Sequence, residues 1–131
     1  MKHNIDKTFT KVGRITMPIA RAARMKAADI YVDENHIKHI YNNHGKELQQ
    51  LGFSAFEMVR TIVSSFNRIY KAPRNGFYIV VYSKDNRKTK SAVIELNYSV
   101  KKEFYEIKNS APYRTEFFNN RSLLWEKERT L

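Results

Sequence analysis

Three of the four histidines fall in one short segment, Asp33-Glu34-Asn35-His36-Ile37-Lys38-His39-Ile40-Tyr41-Asn42-Asn43-His44-Gly45. Histidine is the side chain that takes and gives protons near neutral pH, so such a group is a source of general acid and base. On a helix His36 and His39 are neighbours on one face, and His44 follows just past the expected helix end. The same residues also read as solvated or capping histidines with no chemical task. A metal site from His36, His39 and a carboxylate is a third reading, but the spacing is not a familiar zinc signature. No metal or other cofactor is expected.

Groups able to meet an anion are plentiful. Between Arg60 and Lys102 the chain places ten basic residues, among them Lys84, Arg87, Lys88 and Lys90, against only Asp85 and Glu95. A charge run is usually a solvated surface. Here, however, it flanks segments bearing Tyr78, Tyr82, Tyr98 and Tyr105, and phosphate contacts beside aromatic platforms are what a nucleic-acid strand needs. Tyrosines on strands serve as cross-strand packing at least as often. Further on, Lys108 adds a cation, and Tyr113-Arg114-Thr115 offers a guanidinium for bidentate phosphate contact with hydroxyls on the opposite face of an expected strand. An edge-strand arginine in water fits Arg114 equally well.

These residues need elements to hold them. Residues 1–28 read as a basic arm with a short helix at 19–28, whose apolar face is thin. The domain proper is expected over 29–131. Ile30-Tyr31-Val32 reads as a short strand, Asp33 as an N-cap, and a helix runs to about Asn43, with Gly45 placed to stop it. Ser54-Ala55-Phe56-Glu57 is a capping box, and Phe56, Val59, Ile62, Val63 and Phe66 form the buried stripe of the helix it opens. Beyond Pro73 the period changes to that of strands. Residues 77–82, 92–98, 104–108 and 113–118 read as four strands, with a polar hairpin connection at 83–90 and a turn at 109–112. Leu123-Leu124-Trp125 closes the chain as an apolar anchor. The expected fold is α+β, N-terminal helices packed on one face of a four-stranded antiparallel β-sheet, with the other face left for function.

A chain of 131 residues suits one core. Lys and Arg number 24 against 13 Asp and Glu, a formal charge of +11, and such a field draws in polyanions: nucleic acid, an anionic surface or an acidic protein. With no cysteine, disulfides, thiol nucleophiles and zinc ribbons drop out. No run approaches transmembrane length and no secretory leader opens the chain, so no membrane association is expected.

The order of these features resembles the barnase, EndoU, colicin and RelE-like (BECR) nuclease superfamily, especially its phage-associated and contact-dependent-inhibition toxin branches. A strand, Ile30-Tyr31-Val32, leads into a helix with His36-Ile37-Lys38-His39-Ile40 and then His44-Gly45. A second helix and an antiparallel sheet follow, and the last strand carries a small hydroxyl residue, here Thr115. The similarity spans about residues 29–126. It implies a metal-independent endoribonuclease, with attack by a ribose 2′-OH on the adjacent phosphorus to leave a 2′,3′-cyclic phosphate. His39 would be the acid or base, with His44 or His36 second; Arg114 and Lys84 would meet phosphate, and Thr115 and Tyr98 would supply hydroxyl contacts. Arg87, Lys88, Lys90 and Lys108 would hold the RNA. The resemblance further implies tRNA as substrate, an acidic cognate immunity protein as partner, and action in the cytoplasm, that of a target cell for a delivered toxin domain. Two other readings remain beside it: a non-catalytic nucleic-acid-binding module of a phage or mobile element, and a basic domain docking an acidic protein.

Overall fold

Apolar and polar residues alternate through Ala-Asp-Ile-Tyr-Val-Asp, and the segment forms strand β2 (Ala28–Asp33), with Ala28, Ile30 and Val32 buried. The computed structural model describes residues 8–50, 54–82 and 90–127, apart from the side chains of His44, Lys90 and residues 47–50. Ahead of β2 lie β1 (Phe9–Ile15) and α1 (Met17–Ala23). After it come α2 (Glu34–Gln50), α3 (Ala55–Ser65), β3 (Arg68–Ala72), β4 (Gly76–Val81), β5 (Lys90–Ser99), β6 (Phe104–Arg114), a 3-10 turn (Thr115–Phe118) and β7 (Leu123–Glu126).

The strands make one seven-stranded sheet in the order β1-β2-β6-β5-β4-β3-β7. The α+β class and the helix-on-sheet arrangement hold, but the expected four-stranded antiparallel sheet is corrected: the sheet has seven strands and is mixed, because β2 lies parallel to β6. Three strands were hidden in segments read otherwise. Residues 9–15, read as arm, pair with β2 through an irregular register between Lys11 and Gly13 that breaks the alternation. Residues 68–72 pair with β4, and the terminal apolar anchor pairs with β3.

The serine half of the expected α3 capping box forms, with Ser54 Oγ accepting from the Glu57 N–H at 3.1 Å. Ala55, Met58, Val59, Ile62 and Val63 make the buried face. The chain leaves the helix extended at Phe66 and is pinned there by Asn67, whose amide donates to the Tyr82 carbonyl at 2.9 Å and accepts from the Tyr82 N–H at 2.7 Å. The turn from β3 to β4 puts Arg74 and Asn75 at positive φ, as a tight hairpin requires. Helix α2 does not stop at Gly45 and runs on to Gln50.

All three helices contribute to a core on one sheet face, with Ile15, Ala20, Ile40, Val59, Ile62, Ile94, Leu96 and Tyr105 at its centre. On the other face Tyr70, Ala72, Tyr78, Val80 and Val93 pack under Phe118 of the 3-10 turn. That second face, expected to be left for function, is partly roofed by the turn. Residues 113–118, expected as a strand, supply the roof.

Candidate functional site

The placement of the candidate side chains on β6 follows from one irregularity in that strand. Leu96 pairs with Ile107 but Glu95 pairs with Asn109, so Lys108 is an extra residue in the strand. A β-bulge reverses which residues face which side. Before it Tyr105 and Ile107 enter the helix-side core; after it Ser110 takes that side, while Asn109 and Tyr113 turn to the other. Residues 109–112, expected as a turn, are thus the interior of a continuous strand.

Helix α2 begins directly at the end of β2. The Glu34 N–H donates to the Thr8 carbonyl at 2.9 Å and the Asn35 N–H to Asp33 Oδ1 at 3.0 Å. This fixes His36 in the first turn, facing β6. Its Nε2 lies 3.3 Å from the hydroxyl of Ser110, a buried residue. Burial holds the His36 pKa below the ordinary histidine value, and the charges of His39 and Lys108 press it the same way against the opposing pull of Asp33. His36 is accordingly a neutral imidazole at neutral pH, able to accept a proton. One turn on, the ring of His39 is 6.4 Å from that of His36, exposed, with Nε2 accepting from the Asn43 amide at 2.9 Å. Lys108 is exposed at the bulge, 3.5 Å from the Glu106 carboxylate. A half-buried base, a second imidazole and a fixed hydroxyl thus meet where α2 crosses β6, and the charge of Lys108 is felt at His36.

Arg114 and Thr115 are not part of this group. They lie past the bulge, with Thr115 Oγ1 3.3 Å from Ser91 Oγ and Arg114 lining a cleft with Tyr78, Tyr113, Glu116, Phe117 and Arg121. Tyr98 is on the helix side, half-buried, edge-on to Tyr105 at 5.2 Å and under the Lys26 ammonium at 5.1 Å. The Tyr105 hydroxyl donates to the Lys26 carbonyl at 2.7 Å, and burial pushes its pKa up to about 12. Tyr105, Tyr78 and Tyr82 all sit within packed clusters. His44 lies in α2 and Lys90 opens β5, their side chains outside the described residues, as are Lys84, Arg87 and Lys88 altogether.

Ser110 is the residue that reading the sequence missed. It sits in Asn109-Ser110-Ala111-Pro112, whose composition signals a turn, and only the bulge makes its position meaningful. Asn109, Glu95 and Arg121 were missed on the other face. Among the described residues no three of His, Asp and Glu converge as metal ligands, and no helix is long and apolar enough to cross a membrane.

No family model, curated protein or solved structure matches this chain.

Proposed function

We propose that the chain is a metal-independent endoribonuclease with its reaction centre where α2 crosses β6. The observation that carries this reading is His36: a buried-side imidazole kept neutral, 3.3 Å from a fixed hydroxyl, beside a second imidazole and a lysine. His36 takes the proton from a ribose 2′-OH; the 2′-oxygen bonds to phosphorus as the bond from phosphorus to the 5′-oxygen breaks. The departing 5′-oxygen takes its proton from the His39 side of the site. Lys108 meets the charge that gathers on the phosphoryl oxygens, where a fixed cation acts most strongly on the transition state. Ser110 is a positioning residue that holds the His36 ring. This arrangement moves the first role from His39 to His36, and replaces Thr115 by Ser110 as the hydroxyl on the last long strand.

The resemblance to the toxin branches of the BECR superfamily supports tRNA as substrate, and an acidic immunity protein as the partner that would cover so basic a surface. The test is cleavage of total tRNA in chelator. Fragments ending in 2′,3′-cyclic phosphate are expected, and His36→Ala is expected to lower the rate by about 100-fold or more, the range of one general base. Intact RNA after long incubation with folded protein contradicts catalysis, and salt-sensitive binding without product would return the chain to a nucleic-acid-binding module.

A further inference from the structure

The sheet face away from the helices carries a cleft that the ribonuclease reading does not use. Alternation in β4 and the bulge in β6 turn Tyr78 and Tyr113 onto this face, and the 3-10 turn lowers Phe117 against them. The three rings meet edge to face: Tyr78 to Tyr113 at 6.2 Å and 61°, Tyr78 to Phe117 at 5.7 Å and 82°, Tyr113 to Phe117 at 4.9 Å and 79°. With Arg114, Glu116 and Arg121 they line an open cleft of about 700 Å³. The guanidinium of Arg121 lies 4.6 Å from the centre of Phe117 and 6.0 Å from that of Tyr78, a planar cation laid along an aromatic wall. Among the described residues neither Arg114 nor Arg121 has a carboxylate within ion-pair distance.

The hydroxyls are set to donate. Tyr113 Oη accepts from the Asn109 amide at 2.7 Å, which leaves the phenolic hydrogen for another acceptor. Burial first, then the neighbouring Tyr78 and Glu95, raise the Tyr113 pKa; burial and Glu95 raise that of Tyr78. Both phenols therefore keep their protons at neutral pH. An aromatic wall, a flat guanidinium, a second guanidinium with no carboxylate partner among the described residues, and phenolic donors together ask for a ligand with a planar ring and an anionic group a few ångströms away. A bare anion leaves the rings unused, and a cation meets two arginines.

We propose that this cleft is a nucleotide-binding subsite, the base lying against Tyr113, Phe117 and the Arg121 plane and the phosphate reaching Arg114. It lies across the sheet from His36 and stands whether or not His36 is catalytic. Two sources offer this chemistry, a free nucleotide and one unit of an RNA strand. The test is an NMR titration of isotope-labelled full chain with adenosine monophosphate, with a six-residue 2′-O-methyl oligoadenylate that resists 2′-OH attack, and with inorganic phosphate.

Shifts centred on residues 113–121, present for both nucleotide ligands and at least about fivefold weaker for phosphate, are expected, since stacking of one base contributes on that scale. Equal affinity for monomer and oligomer assigns the free nucleotide, and tighter oligomer binding assigns the strand. Tyr113→Leu should weaken both about fivefold or more, while Tyr113→Phe, which keeps the ring, should stay within about threefold of the original. Should Tyr113→Leu fail to fold, Arg114→Gln with Arg121→Gln carries the same test at the surface. The His36→Ala protein should bind the monophosphate as before. Binding insensitive to all of these substitutions, phosphate binding as tight as nucleotide, or shifts confined to α2 would overturn the proposal.

Discussion

At the scale of single residues, the protonation of His36 should set the pH dependence of stability and, in the proposed reaction, of rate. Its pKa is depressed in the folded chain, so the base form persists below the ordinary histidine value of about 6.5. The acid limb of kcat/KM for RNA cleavage is expected below that value; a limb above it would mean a different base. The linked effect on folding has the same origin. An unfolded chain binds the His36 proton more readily, so the stability contribution is full above about pH 6.5 and is lost as pH falls through the folded pKa. Urea melts of wild type and His36→Gln between pH 7.5 and 5 should show the wild type losing more. Ser110→Ala removes one hydrogen bond, about 1 kcal/mol, and should lower kcat roughly fivefold with KM little changed. The histidines were legible because chemistry is written in residue type. Their partner was not, since Ser110 becomes a partner only through pairing 74 residues away in the chain.

At the scale of elements, sequence legibility tracked local encoding. The α3 helix announced itself through the Ser54–Glu57 capping box and its apolar stripe, all short-range signals. Strand β1 did not, and β6 was legible only over 104–108, with 109–112 read as a turn, because each contains an irregularity that shifts the alternation by one residue. In β1 the cause is visible at Gly13. A Cβ built there would lie 2.1 Å from Val63 Cγ1, so the strand crosses α3 at a distance only glycine allows. Gly13→Ala is expected to destabilise the fold by about 1–3 kcal/mol, the usual cost of overpacking, and a denaturant midpoint unchanged from wild type would show that β1 does not press on α3. Likewise β2 was readable as a strand, whereas its parallel pairing with β6 depends on a tertiary crossover that no local pattern encodes.

At the scale of the whole molecule, the charge of +11 allowed several polyanionic partners, and the fold sorts the anion-binding groups onto two sides of one sheet. The histidines of α2 lie on one, within the field of Lys108, and Arg114 and Arg121 lie with the tyrosines on the other. Binding to RNA should therefore weaken steeply with salt, log K falling with log salt at a slope of about −3 or beyond, as expected when several phosphates are neutralised. A shallow slope would move the charge to another task.

The central claim, that the α2–β6 crossing cleaves RNA through His36, is tested most directly by the ends of the product. Wild-type protein incubated with total tRNA in chelator should give discrete fragments ending in 2′,3′-cyclic phosphate, and folded His36→Ala about 100-fold less of them. Fragments ending in 3′-hydroxyl, or equal cleavage by the variant, would contradict it.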